Sequence, residues 1–277
     1  MVTSATARPM SSPEAEGSVV RTRAGGEVYV ERRGTGPALV WVAGLGDDHT
    51  GWTTQVEQFS GQYTCVTFDN RGTGASTVLP GPYTMEDFAD DAHDVVSALG
   101  ITPVIAVGSS MGGAICQRWA LRYPEDVSRL VLAGTWAEKD PLLDVLLRHW
   151  IKLGEDHQDQ RLIESLFLGC YSGPYLREHP ETVAEFMSTP LPDLEGLMAS
   201  VAACRDHDAL TELSTLNMPT LVISGTLDTV ARTDLPERIA STVPNAQLKE
   251  IQSGHMMIWE QPDSFERIVR EFITSAN

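Results

Sequence analysis

The apolar positions of this chain follow two different periods. Between residues 18 and 33 they alternate with polar ones around Ala24-Gly25-Gly26, which predicts a hairpin of half-buried strands over Ser18–Arg23 and Glu27–Arg33. From Ala38 onward short continuous apolar runs take over, at 38–42, 63–68, 103–107 and 127–133. Runs of that length, bounded by Gly, Pro and Asp, predict strands covered on both faces. Between them, 84–99 and 114–123 have helical spacing. In the first, Phe88, Ala92, Val95, Val96 and Leu99 make one apolar stripe, and Thr84 with Asp87 after it forms a helix start signal. Strands alternating with helices predict βαβ units and a parallel sheet.

The alternation stops at Gly134-Thr135-Trp136. From Ala137 to Leu216 only helical spacing appears, over Leu142–Leu153, Gln160–Cys170, Pro180–Met187 and Leu194–Cys204. The sheet rhythm resumes with apolar strands at 219–224 and 247–251, a helix at 237–243 between them, and a final helical region from Trp259 to Thr274. The expected organisation is a disordered tail over 1–17, an α/β core built from 18–136 and 217–277, and a helical cap over 137–216. Ligands of such sheets bind at the carboxyl ends of the strands, where a cap would shape a pocket. The cap's many apolar residues, Leu147, Trp150 and Phe186 among them, exceed what a thin surface layer needs. Trp136 and Trp150 are the candidates to touch a substrate, and Arg205-Asp206-His207-Asp208 is expected to be a solvated hinge.

Charge narrows the classes of partner. The chain of 277 residues has 38 acidic against 20 basic residues, a net charge of -18, and no Lys/Arg cluster. That excludes a nucleic-acid footprint and disfavours anionic membranes and highly anionic substrates. The four cysteines show no metal-ligand spacing, so Cys65 and Cys116 are expected as small buried apolar residues. Residues 1–16 lack the apolar stretch of a secretory signal, and no apolar run approaches the roughly 18 residues of a membrane span. A soluble, cytoplasmic protein with a small-molecule substrate is the expectation.

The chemistry converges on three strand ends. Gly108-Ser109-Ser110-Met111-Gly112 lies between a strand and a helix, the context of a nucleophile elbow. So sharp a turn strains the central residue and leaves no room for side chains two residues before and after it. Ser110 is therefore the candidate nucleophile, at a helix N-terminus whose dipole favours developing negative charge. A serine hydroxyl needs a base, and the base an orienting carboxylate. His255 and Asp228 each follow a strand directly and fill those roles; Asp140 and Asp234 are weaker alternatives that do not follow strands. The backbone N–H groups of Met111 and of Leu45, in the Gly44-Leu45-Gly46 loop after another strand, are the candidate oxyanion-hole donors. Asp69 and Arg71 are expected to brace the turn at 69–76 by charge-assisted hydrogen bonds, and His49 is expected to be solvated. No metal or organic cofactor is implied.

These segments together resemble the serine-nucleophile members of the α/β-hydrolase fold superfamily. The resemblance rests on Ala43-Gly44-Leu45-Gly46, Phe68 to Ser76, Gly108 to Gly113, Pro219 to Asp228, and Gly254-His255 with Glu260-Gln261-Pro262. It covers the chain from about residue 18 onward, apart from the cap. It implies the Ser…Asp…His chain order seen here, and a texture similar to enol-lactonases, carboxylesterases and carbon–carbon bond hydrolases. Many relatives carry His where this chain has Ala43. Haloalkane dehalogenases and epoxide hydrolases use an Asp nucleophile, against which Ser110 argues. The leading expectation is hydrolysis of an ester, lactone or thioester of a fairly apolar small molecule. The alternatives are cleavage of a carbon–carbon bond in a diketone-like substrate, a ligand receptor, or a lyase or cyclase.

Overall fold

The computed structural model describes residues 15–275. Most of the tail expected over 1–17 lies outside that range. Its end does not fit the expectation: strand β1 spans Glu16–Arg21 and pairs antiparallel with β2, Glu27–Arg33, so Glu16 and Gly17 are in a sheet.

Among the described residues eight strands form one sheet. The remaining six are β3 (Ala38–Val42), β4 (Thr64–Phe68), β5 (Val104–Ser109), β6 (Val127–Ala133), β7 (Thr220–Gly225) and β8 (Gln247–Ile251). Their order in space is β1-β2-β4-β3-β5-β6-β7-β8, antiparallel through β2·β4 and parallel from β4·β3 onward.

Both faces of the sheet are covered, which is why β3, β4, β5 and β7 are buried at every position and mostly apolar. Along β3, Val40 and Val42 face one core, where α2 (Met85–Leu99) and α3 (Met111–Arg122) supply Phe88, Val95, Ile115 and Trp119. Leu39 and Trp41 face the other core, with Trp52, Phe59 and the Phe265 stripe of α11 (Pro262–Thr274). Val104/Ile105 and Leu130/Val131 divide the same way. Thr84 caps α2 in a reciprocal box with Asp87.

Two short elements after β3, and a break in the last helical region, were not legible from spacing. A short 3-10 turn, His49–Trp52, leads into α1, Thr53–Phe59, in a segment read as polar loop. Only Trp52, Gln55 and Phe59 of it are buried, too short a stripe to show a period. The final helical region is split at Pro262 into α10, Met257–Glu260, and α11, because proline cannot donate the helical N–H.

Between β6 and β7 run five α-helices, α4 (Pro141–Glu155), α5 (Asp159–Cys170), α6 (Gly173–Glu178), α7 (Glu181–Ser188) and α8 (Leu194–Asp206), followed by a 3-10 turn at Glu212–Thr215. The six-residue α6, which buries no residue, was not anticipated. A nine-residue helix α9, Asp234–Thr242, fills the β7–β8 crossover. The 205–208 quartet is only partly the solvated hinge expected: Asp206 and Asp208 are exposed, but the other two are engaged. His207 is 3 % exposed and its Nε2 sits 3.1 Å from Gln117 Oε1 on α3, while Arg205 Nε donates to Asp144 at 2.7 Å. Burial, with the Arg118 charge adding to it, pulls the His207 pKa down to about 3, so the ring stays neutral and Nε2 is the donor to the Gln117 carbonyl.

Among the described residues no helix is long and apolar enough to cross a membrane.

Candidate functional site

The strand order reverses at β3, which is flanked by β4 on one side and β5 on the other. Loops leaving β3 and β5 therefore diverge and open a crevice at their carboxyl ends, the usual ligand position of an open parallel sheet. The Gly44–Asp47 loop leaves β3 there, and Ser110 leaves β5.

Ser110 is held at φ 55° and ψ -120°, in the positive-φ region that side-chain-bearing residues avoid. Its neighbours show why the sequence turns this way. A methyl at Gly108 would overlap the Gly112 carbonyl, and one at Gly112 would overlap the Val42 carbonyl of β3. Any other residue at either position would push α3 off the sheet.

From this turn Ser110 Oγ lies 2.8 Å from His255 Nε2, and His255 Nδ1 lies 2.8 Å from Asp228 Oδ2. Asp228 Oδ1 accepts from the N–H groups of Val230 and Ala231 at 2.8 and 2.9 Å, which fixes the carboxylate plane. A carboxylate only accepts, so Nδ1 carries the proton and Nε2 offers its lone pair to the serine hydroxyl. Burial favours the neutral imidazole, but the Asp228 charge and hydrogen bond, with the Asp47 charge, outweigh it and raise the His255 pKa above its ordinary value. The alternative acids lie elsewhere. Asp140 caps α4 and pairs with Arg232 at 3.0 Å, and Asp234 pairs with the same arginine at 3.3 Å.

The expected donor residues fall on the same side. Met111 is the first residue of α3, where an N–H has no intrahelical acceptor. Leu45 lines the same cavity as Ser110, and a methyl on the adjacent Gly44 would touch Ser110 Cβ at 3.5 Å. The position occupied by His in many relatives is braced differently here: Asn70 Nδ2 donates to the Ala43 carbonyl at 3.1 Å. Asp69 and Arg71 do brace their turn, though through other partners. Asp69 accepts from the Ala75 and His49 N–H groups at 2.8 and 2.7 Å, and Arg71 forms a two-pronged pair with Asp91 of α2 at 2.6 and 2.8 Å. His49 is not free in solvent, because its Nδ1 lies 2.7 Å from Asp69 Oδ1. Asp48, His49 and Asp69 bring ligand-type atoms within 4.8 Å of one another, but this imidazole–carboxylate contact already uses the nearest pair.

The cavity over Ser110 encloses about 390 Å³. Its floor is Gly44, Leu45, Ser110 and His255; its far wall comes from the helices between β6 and β7, through Leu143, Leu147, Leu166 and Phe186. Trp136 and Trp150 both line it, at 3 % and 5 % exposure, and Trp150 Nε1 is satisfied by Ser165 Oγ at 3.0 Å. Cys170 and Cys204 also reach it, but burial raises both thiols, so neither supplies a thiolate at neutral pH.

Two residues of the site were given no role from the sequence. Glu260 is buried, and accepts from Ser172 N and Oγ at 2.8 and 2.7 Å and from Gly254 N at 3.1 Å. Met256 N donates to the Cys170 carbonyl at 3.0 Å. The turn holding His255 is thus tied on both sides to the segment after α5. The signal was available in principle, as a Glu shortly after the histidine, but its partner Ser172 is distant in sequence. Asp47 is the second: it stands in the cavity wall, and its carboxyl is raised to about 6 by desolvation and by Asp48, with His255 pulling the other way.

Residues 37–166 match the family model of the alpha/beta hydrolase fold. The chain belongs to the α/β-hydrolase fold superfamily, and is a hydrolase of that fold. It is similar to a hydrolase from Pseudomonas aeruginosa of known structure, at 31 % identity and a TM-score of 0.86, covering 94 % of this chain and 98 % of that one. Among proteins compared by sequence it is 27 % identical to RutD of Agrobacterium fabrum, whose name assigns it to carbamate hydrolysis, over 91 % of this chain and 98 % of that protein. It is 25 % identical to 3-oxoadipate enol-lactonase 2 of Acinetobacter baylyi, over 87 % and 90 % of the two chains.

Proposed function

We propose that this protein is a serine hydrolase that cleaves an ester, lactone or thioester of a fairly apolar small molecule through an acyl-enzyme on Ser110. The observation that carries this reading is the unbroken row Ser110 Oγ, His255 Nε2, His255 Nδ1, Asp228 Oδ2, with 2.8 Å at each hydrogen bond, on a serine in strained backbone at the cavity floor. His255 takes the hydroxyl proton as Oγ attacks the acyl carbon, and Asp228 stabilises the imidazolium. The negative charge that develops on the carbonyl oxygen is met by the N–H groups of Leu45 and Met111 at the start of α3. His255 then returns its proton to the leaving oxygen or sulfur as that bond to carbon breaks. Water, deprotonated by the same nitrogen, then attacks the acyl carbon; the bond to Ser110 Oγ breaks, Oγ takes the proton back from His255, and the acid leaves.

The helices over 137–216 act in this reading as a cap, with Trp136 and Trp150 as apolar contacts for the substrate. A carbamate or enol-lactone, as in the names of the relatives, falls within the same acyl chemistry without being singled out by these residues. Four unpaired cysteines fit a reducing compartment, in keeping with a cytoplasmic enzyme.

The test is intact mass after exposure to a fluorophosphonate, in the wild type and in Ser110→Ala and His255→Ala. One adduct on the wild type and none on either variant is expected, followed by turnover of short-chain esters that both variants lose. A folded wild type that takes no adduct and cleaves no ester, lactone or thioester overturns the reading.

A further inference from the structure

The cavity over Ser110 does not end at the Gly44–Asp47 loop. A second space of about 440 Å³ adjoins it and shares Gly46, Asp47, Pro190, Pro192 and Trp259 as common wall. Asp47 therefore stands at the neck between an apolar inner cavity and an outer groove. It is close to the reaction centre, since a methyl on Gly44 would lie 3.5 Å from Ser110 Cβ and 3.6 Å from Asp47 Oδ2. Among the described residues the Asp47 carboxyl has no hydrogen-bond or ion-pair partner, and the one opposing charge that acts on it is that of His255.

The charges around both spaces have one sign. The inner cavity is lined by Asp47 and Glu185, and the outer groove by Asp47, Asp48 and Asp193. Among the described residues no lysine or arginine lines either. The one basic side chain among those lining them is His255, whose positive state is held first by Asp228 and also favoured by Asp47. A carboxylate on the substrate would therefore be desolvated with no cation to receive it, beside like charges, in a protein whose net charge of -18 also repels it on approach.

We propose that this site selects its substrate by charge: it takes acyl compounds that are neutral or cationic away from the scissile bond and rejects those bearing a carboxylate, with Asp47 as the residue that sets the selection. This rests on the hydrolase reading of Ser110 for its reaction, though not for its binding preference. Asp48, His255, Cys170 and Tyr171 are the titratable groups that feel Asp47. At pH 8 the carboxyl is ionised, so the comparison belongs there.

Three p-nitrophenyl esters of equal acyl length decide it, with a methyl, a carboxylate or a trimethylammonium group at the far end of the chain. For the wild type, kcat/KM on the methyl and trimethylammonium esters is expected to exceed that on the carboxylate ester at least tenfold, the order of effect for like charges at close range in a poorly solvated site. In Asp47→Asn that ratio is expected to shrink about threefold or more, and in Asp47→Glu to persist. An anionic ester cleaved as fast as the neutral one, or a ratio unchanged in Asp47→Asn, overturns the proposal. If the wild type takes no fluorophosphonate and cleaves none of the three, the reading of Ser110 has failed instead. The same esters then serve as uncleaved ligands in calorimetry, where an anionic ester binding as tightly as the neutral one overturns the charge selection by itself.

Discussion

The sheet and the helices over 137–216 are built to different standards. Every residue of β3, β4, β5 and β7 is buried, and alternate side chains are locked into cores on opposite faces. In the helical segment α5 buries only Leu162 and Phe167, α7 only Thr182, and α6 none. Elements with so few buried contacts open at lower free energy than core strands. The difference separates two tasks. The groups proposed to make and break bonds need positions held to fractions of an ångström, and Ser110, Asp228 and His255 all follow strand ends. The cavity wall draws on both kinds of helix: Leu143 and Leu147 come from the well-buried α4, and Leu166 and Phe186 from the looser α5 and α7.

The comparison breaks most sharply at the reacting groups. Ser110→Ala and His255→Ala are expected to lower kcat on any ester substrate by roughly 10⁴-fold or more without lowering thermal stability. Stopped assays alongside melting curves check this; a stable variant retaining a tenth of the activity would mean that the row is not the reaction centre. Next comes the core itself. Trp41, 0 % exposed and packed on Trp52 and Phe59 at ring distances of 5.0 and 5.4 Å, should cost about 3–5 kcal/mol of unfolding free energy when cut to alanine. Phe186→Ala, in the cavity wall, should cost under about 1.5 kcal/mol and instead raise KM for apolar esters several-fold. Equal losses of stability in the two would erase the distinction.

Glu260 joins the two regions, so its effect should be mixed. Glu260→Gln keeps the shape but weakens the acceptance of three hydrogen bonds by a buried carboxylate. A loss of about 1–3 kcal/mol in stability is expected, with a fall of up to about tenfold in kcat that Ser172→Ala partly reproduces. A stability loss with unchanged kcat would make the link purely structural.

The smallest effects are on pH. His255 must be neutral to accept the serine proton and its pKa is raised, so kcat/KM should climb with pH through a midpoint above the ordinary histidine value of about 6.5. Asp47→Asn removes one of the charges that raise it and should move that midpoint down by a fraction of a unit. Asp47 also affects stability. Its carboxyl rises from 3.8 to about 6 on folding, so the folded protein bears the full cost of the charge above pH 6 and none below 3.8. Asp47→Asn should therefore melt higher than the wild type at pH 8, with the gap closing as pH falls below about 4.

Much of this was written in the order of residues. Strong local signals, such as the apolar runs of β3 to β7, the Thr84 cap and the Gly108–Gly112 turn, needed no knowledge of distant contacts, because steric and burial demands act within a few residues. The positions of Ser110, Asp228 and His255 at strand ends were legible for the same reason: topology carries every parallel strand end to one edge. The short α1 and α6 were not, since a helix with two or three buried residues, or none, leaves no period to detect.

What only the tertiary structure decided concerns pairs far apart in the chain. Residues 205–208 look solvated by their charge, yet His207 is buried because α8 packs it against Gln117 of α3. Glu260 with Ser172, Asn70 with the Ala43 carbonyl, and Asp47 at the neck of two spaces have no local signature either. The sequence by itself determined the α/β order, the sharp turn at Ser110 and the chemical types on the strand ends. Which carboxylates stand paired, and that Asp47 faces the cavity without a hydrogen-bond partner, depended on long-range packing. Desolvation and charge act through space, and the chain's linear order does not record those distances.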